Sequence, residues 1–259
     1  AEPVIPDTVR GFCQRFAEYG FKSNAYWSVY GLAESSVGLA FPKSGYSPNI
    51  QRIVRKRFTD QGEAIPANNS DKNALEFASC GEVLPDHQLR IVDDMDIELP
   101  DRQQGHLQFK GPSSTCGYYL NNEKTAELFH GDWLDSGDLA YVDKGQLFLT
   151  GRSKDIIIRA GRNIYPHEIE EAVGTVEGVR RGRAVAFGYT DEATNKECLV
   201  VLVETRETDQ QKKQLLRQKL LNVCAELVDI PPDEIVLAAP NTVLKTSSGK
   251  LRRSACREL

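Results

Sequence analysis

Apolar residues recur at helical spacing near the start of the chain, at Val9, Phe12, Cys13, Phe16 and Ala17. Asp7 stands where it can cap this helix, and Gly20 supplies a left-handed stop. A mixed segment then leads to residues 30–35, which read as a strand-to-loop transition. From 41 to 79 the period is lost. Pro42, Gly45, Pro48, Gly62 and Pro66 punctuate this stretch, and the polar run 68–73 follows, so it reads as a long irregular excursion. Between 80 and 150 short strands dominate, clearest at 89–92, 106–110, 139–142 and 146–150, with Asp143-Lys144-Gly145 as a hairpin turn. This predicts a small β subdomain. After Gly151-Arg152 the pattern alternates between strand and helix. It gives a β-branched strand at 155–159 and a helix opened by Pro166 with Ile169 and Val173 on one face. Strands follow at 183–189 and 198–204. Thr208 then caps a long helix with the stripe Leu215, Leu216, Leu220, Val223, Cys224 and Leu227, ended by Pro231-Pro232. The last hundred residues therefore read as a compact α+β domain.

Composition narrows the function. A chain of 259 residues can make one large domain or two ordinary ones. The net charge of −5 gives no broad basic footprint for nucleic acid, and no apolar run reaches membrane-spanning length. No basic-then-apolar signal segment opens the chain. The first residue is Ala1 rather than Met, inside what reads as structured sequence, so a piece of a longer protein is expected. Six cysteines without a C-x-x-C pair read as reduced thiols of a cytoplasmic protein. The four histidines lack metal-ligand spacing.

Three segments carry candidate chemistry, and each admits a plainer reading. A Gly beside a Lys in the Ser/Thr-rich run 244–250 can meet a phosphate through backbone N–H groups and a mobile ammonium. The same run also suits a flexible basic tail, and it lacks the spacing of a P-loop. Asp138, after Gly137, can accept two ribose hydroxyls or simply occupy a turn. Glu34 can hold Mg²⁺ or be a solvated loop acid.

Taken in order, the segments resemble the superfamily of adenylate-forming enzymes. Tyr30-Gly31-Leu32-Ala33-Glu34 is similar to the family's Y-G-x-[TA]-E motif, and Ser136-Gly137-Asp138 to its T-G-D. Gly151-Arg152-Ser153-Lys154-Asp155, with the run 159–166 and Glu168-Ile169-Glu170, resembles the hinge motif. Thr246-Ser247-Ser248-Gly249-Lys250 resembles the terminal lysine motif. The resemblance covers essentially the whole chain. The long stretch before Cys80-Gly81 and Ile91-Val92-Asp93, together with Ala33 and the run 161–166, looks like the fatty acyl-AMP ligase branch.

The fold implied is α/β and α+β. Residues 1–152 would be the C-terminal part of the large AMP-binding domain, with a ligase-type insertion at 41–79 and a β-barrel-like subdomain at 80–150. Residues 153–259 would be a mobile α+β C-terminal domain hinged at Lys154. The activity implied is activation of a fatty acid by ATP to acyl-AMP and pyrophosphate, for transfer to the phosphopantetheine of an acyl carrier protein. A long-chain acyl-CoA synthetase, passing the acyl group to CoA, is the alternative enzyme. A non-catalytic half-enzyme that binds a carrier or other partner is the alternative of another class. By resemblance, Lys250 would reach the α-phosphate and a carboxylate oxygen, and Glu34 would hold Mg²⁺. Tyr30 and Gly31 would lie by the adenine, and Asp138 and Arg152 would hold the ribose. Ala1, Glu2 and Pro3 would edge the nucleotide pocket, and Gly161 and Arg162 would face the entering phosphopantetheine. The insertion, docked on the small domain, would restrict rotation at Lys154. Leu244, where the family usually has Pro, is expected to loosen the lysine loop. The phosphate loop of the superfamily is absent from the sequence, so this chain alone is expected to be inactive.

Overall fold

The chain folds as two units, Ala1–Lys154 and Asp155–Leu259. The structure, a computed structural model, describes residues 4–159, 161–191 and 196–259.

The first unit opens with α1 (Pro6–Ala17). Its N-cap is Ile5, not Asp7. Pro6 takes the first helical position, which suits its fixed φ, and Asp7 sits in the first turn and pairs with Arg10. Of its apolar face only Val9 is buried, while Phe12 and Phe16 remain about two-fifths exposed.

Strand β1 (Ala40–Phe41) pairs antiparallel with β4 (Glu82–Val83). Between them lies the stretch expected to be irregular, and it is folded. Strand β2 (Ile50–Ile53) and β3 (Leu75–Ala78) form an antiparallel pair around helix α2 (Arg55–Gln61), which Gly62 ends at φ +71°. Two aromatic anchors explain the order. Phe58 and Phe77 pack on Tyr141 at 5.9 and 6.1 Å between ring centroids, and Tyr141 stacks on Phe148 at 4.8 Å. The buried face of the segment is thus turned toward strands of its own unit.

Strands β5 (Gln88–Val92), β6 (Gly105–Lys110), β7 (Phe129–His130), β8 (Trp133–Asp143) and β9 (Gln146–Arg152) form one sheet, with α3 (Asn122–Leu128) before β7. The long β8 pairs with β6, β7 and β9. Lys144 and Gly145, both at positive φ, make the tight turn between β8 and β9. Tyr30, Leu39, Cys80, Leu107, Phe109, Leu134 and Leu147 are among the residues that fill the core.

The second unit begins with the hairpin β10 (Ile157–Arg159) and β11 (Arg162–Ile164). Residue 155 belongs to a short 3-10 turn (Ser153–Asp155), so the strand starts later than the β-branched run suggests. Helix α4 (Pro166–Gly174) precedes β12 (Val179–Asp191) and β13 (Lys196–Thr205), which pair antiparallel. Helix α5 (Gln210–Val228) then crosses to β14 (Glu234–Ala238), parallel to β13. The α5 cap is Asp209 rather than Thr208, its carboxylate accepting from the Lys212 N–H at 2.9 Å. Leu216, Leu220 and Cys224 are buried, but Leu215 is 58% exposed and lies off the stripe. Asp229, at φ +56°, stops the helix two residues before the prolines. β13 is buried from Cys198 onward because it is central and covered on both faces. One side carries Ile169, Val173, Leu216 and Leu220, and the other Val243, Cys256 and helix α6 (Arg253–Arg257).

Candidate active site

The first unit brings Ser136-Gly137-Asp138 and the Tyr30-Gly31 motif together. Gly137, at φ +70°, turns the backbone inside β8, and the Ser136 hydroxyl accepts from the Asp138 N–H at 3.1 Å while donating to Leu107 at 2.6 Å. These bonds set the direction of the Asp138 carboxylate, which is 7% exposed. Its Oδ2 accepts from the Tyr30 hydroxyl at 2.6 Å, and its Oδ1 lies 3.2 Å from Arg152 Nε on the neighbouring strand. Burial pushes the Asp138 carboxyl above its usual range, partly opposed by Tyr30 and Arg152. Burial and the facing carboxylate likewise push the Tyr30 hydroxyl far up, so Tyr30 is a fixed donor. Each carboxylate oxygen has a second acceptor direction, so an ionised Asp138 retains capacity for two more donors.

Tyr30 itself is placed differently from the expectation that its ring lies against a base. It is 4% exposed, and its ring belongs to the apolar core. An alternating segment feeding β1 turns it inward, and its part in this arrangement is to orient Asp138. Gly31 is required by close packing, since a Cβ there would lie 1.4 Å from the Val37 carbonyl oxygen.

Glu34 lies in a single 3-10 turn (Ala33–Ser35), half-buried. Its Oε1 accepts from the Tyr118 hydroxyl at 2.7 Å, and its backbone carbonyl from the Thr115 N–H at 2.8 Å. The hydrogen bond to Glu34 pushes the Tyr118 hydroxyl up to about 12. A second link holds the same loop. Ser113 Oγ lies 3.2 Å from both Ser35 Oγ and the Ser35 carbonyl, and 2.7 Å from His87 Nε2. Tyr118, Ser113 and His87 carry no local sequence signal beyond the hydroxyl-rich run 113–115 before Gly117, because their partners lie 26 to 84 positions away. One carboxylate suits Mg²⁺, which keeps several waters and takes substrate phosphates as its other ligands. Among the described residues no cluster of three His, Cys, Asp or Glu side chains could hold a metal by itself.

The lysine motif lies in the second unit, on a tight turn. Lys245 bridges to Leu251, and the Thr246 N–H donates to the Lys250 carbonyl at 2.8 Å. Thr246 Oγ1 accepts from the Lys250 N–H at 3.0 Å, and Gly249 takes φ +89°. The ammonium of an exposed Lys250 is therefore carried on a braced tip. Leu244 does not loosen this turn. Its N–H donates to Cys256 Sγ at 3.2 Å, a bond that proline could not make. Its carbonyl accepts from the Arg252 N–H at 3.0 Å, and its side chain packs beside Val185 and Leu202.

A buried ion cluster holds the far side of the turn. Arg253 donates to Glu170 at 2.8 and 2.6 Å and to Asp155 at 2.9 Å. Lys154 is exposed and is the last residue of the first unit. Gly161, at φ +74°, and Arg162 belong to the turn and second strand of the β10–β11 hairpin. Ala1, Glu2 and Pro3 lie outside the described residues.

No family model matches the chain. It is 33% identical over 277 residues to the long-chain-fatty-acid–AMP ligase FadD26 of Mycobacterium tuberculosis, covering 100% of this chain and 46% of that protein. It is 30% identical over 272 residues to the medium-chain-fatty-acid–acyl-carrier-protein ligase JamA of Moorena producens, covering 99% and 45%. A structure from a study of fatty acyl-adenylate ligases of E. coli and L. pneumophila matches 100% of this chain and 45% of that one, at TM-score 0.90 and 28% identity. The chain thus spans about half the length of the curated relatives it matches. Its fold is that of adenylate-forming enzymes, and its homologues and structural neighbours are such enzymes. Within that class, fatty acyl-AMP ligases cover it from end to end. Among the described residues no helix is long and apolar enough to cross a membrane.

Proposed function

We propose that this chain is the ribose-binding and lysine-bearing part of a fatty acyl-AMP ligase. The observation that carries the reading is the buried Asp138 carboxylate, held by Tyr30 and Arg152, with Glu34 four residues after Tyr30 in the same motif, in a fold shared with acyl-adenylate ligases. In the reaction a fatty carboxylate oxygen attacks the α-phosphorus of ATP. The bond from that phosphorus to the bridging oxygen breaks, and acyl-AMP and pyrophosphate result. Charge gathers on the α-phosphoryl oxygens, so positioning and cation placement dominate catalysis.

Asp138 accepts the two ribose hydroxyls, with Arg152 at its side. Lys250, mobile only beyond a braced tip, supplies a point charge to the α-phosphate and the attacking carboxylate. Glu34 would hold Mg²⁺, which would neutralise phosphate charge, and Tyr118 fixes the direction of that carboxylate. Lys154 is the position at which the second unit would turn between adenylation and transfer. Gly161 and Arg162 would then meet the phosphopantetheine arm. The acceptor is an acyl carrier protein, a reading supported by the name of the JamA relative.

The test uses the full-length enzyme with ATP, a fatty acid and either holo acyl carrier protein or CoA, products being resolved by mass spectrometry. Acyl-adenylate with acylated carrier is expected. Efficient acyl-CoA formation would replace this reading with a CoA ligase. Absence of any adenylate would replace it with a binding module.

A further inference from the structure

Strand β12 departs from its partner at one place. Val179 faces Thr205 and Ala184 faces Val203, so four residues, Arg180-Arg181-Gly182-Arg183, stand opposite the single residue Glu204. Gly178 and Gly182, at φ +99° and +65°, make the departure possible. The bulge lines a shallow, open cavity of about 510 Å³ together with Gly178, Val179 and Arg206. Its four guanidiniums have unequal duties. Arg180 pairs with Glu204, which is fully buried and also accepts from the Val243 N–H at 2.8 Å. Arg183 donates to the Val243 carbonyl at 3.2 Å. Arg181 and Arg206 are exposed and make no side-chain hydrogen bond or ion pair among the described residues. Lys245, at the base of the lysine turn, adds a cation, since a Cβ on Gly182 would lie 3.6 Å from its ammonium.

The fold does not need this concentration of charge. One acid, Glu204, is enclosed by the bulge, and it is already satisfied by Arg180 and backbone. The remaining cations repel one another at a rim that is open to water, where single-sign charge steers association with an opposite surface. The cavity is too open to enclose a small anion.

We propose that the Arg180–Arg183 bulge with Arg206 is a docking surface for a protein partner with an acidic face, namely the acyl carrier. The identity of the partner rests on the ligase reading above; the charge complementarity does not.

The test is Arg181→Glu/Arg206→Glu in the full-length enzyme. Both side chains are exposed and lie outside the nucleotide and lysine motifs, so fatty-acid-dependent ATP–pyrophosphate exchange is expected to stay at the wild-type rate. Binding of holo acyl carrier protein, followed by fluorescence anisotropy at low salt, is expected to weaken about tenfold or more. Wild-type affinity is expected to fall steeply with added salt and that of the variant much less. Unchanged carrier affinity in the variant overturns the proposal. So does a variant that loses affinity for inorganic pyrophosphate while keeping that for the carrier, since the surface would then be a small-anion site. Loss of exchange in the wild-type enzyme would instead count against the ligase reading, and the binding measurement would still decide the docking surface.

Discussion

Replacing Arg253 by Gln tests the ion cluster behind the lysine turn. The guanidinium is 18% exposed and its partners Asp155 and Glu170 are 19% and 9% exposed. Three hydrogen bonds of 2.6 to 2.9 Å join them, and Glu170 also accepts from the Ala186 N–H at 3.1 Å. Truncation leaves two carboxylates facing each other with no cation between them. Removing one partner of a buried pair costs about 3–5 kcal/mol, and the partial exposure here points to the lower end, about 3 kcal/mol. For a domain of roughly 100 residues that is a fall of about 10 °C or more in melting temperature. Urea unfolding followed by circular dichroism gives the free energy, with an unchanged slope confirming that the same surface is exposed. Arg253→Gln/Glu170→Gln should recover at least about 1 kcal/mol of the loss, because the uncompensated charge is gone. A loss below about 1 kcal/mol in the single variant, or no recovery in the double, refutes the reasoning.

Other consequences follow from the site and from the core. Asp138→Asn should raise the apparent KM for ATP about tenfold or more in the full-length enzyme, because an amide is a poorer partner for ribose hydroxyls. Burial raises the Asp138 carboxyl, so folding disfavours its ionised form and stability is lost as pH climbs through the folded pKa. The same variant should therefore melt no lower than the wild type near neutral pH; a clear drop in melting temperature would show that Tyr30 and Arg152 outweigh burial. Glu204 has the opposite sign. Burial opposes its charge, but the N–H groups of Asn241 and Val243 and the Arg180 guanidinium outweigh it and hold the carboxyl below the usual range. Its contribution is thus present above the ordinary carboxylate pKa and lost as pH falls through the lower folded value, so Glu204→Gln should flatten the acid limb of a stability–pH curve. Gly31→Ala should cost about 3 kcal/mol or more or prevent folding, since the added carbon would coincide with the Val37 carbonyl; near-wild-type urea unfolding would contradict that packing.

Strands were legible where apolar and polar residues alternate, as at 106–110, or where an unbroken apolar run marks a strand covered on both faces, as at 198–204, and the α+β pattern of the last hundred residues followed from their spacing. The folded stretch 50–78 was not, because its order depends on Phe58 and Phe77 meeting Tyr141, itself stacked on Phe148, more than sixty residues away. Local pattern shows only its prolines and glycines. Two helices start one or two residues from where Asp7 and Thr208 would cap them, for local reasons: Pro6 takes the helix start in one, and Asp209 outcompetes Thr208 in the other. In the site, Asp138, Glu34 and Lys250 could be singled out from motif order. The inward turn of Tyr30 and the bracing of Leu244 by Cys256 depend on tertiary contacts that spacing does not encode.

The most direct test of the central claim is fatty-acid-dependent ATP–pyrophosphate exchange by the full-length enzyme and its Lys250→Ala variant. The account predicts exchange in the wild type and a fall of about a hundredfold or more in the variant, with the fold intact by circular dichroism. Exchange with no fatty acid in a folded wild-type enzyme, or a variant as fast as the wild type, would contradict it.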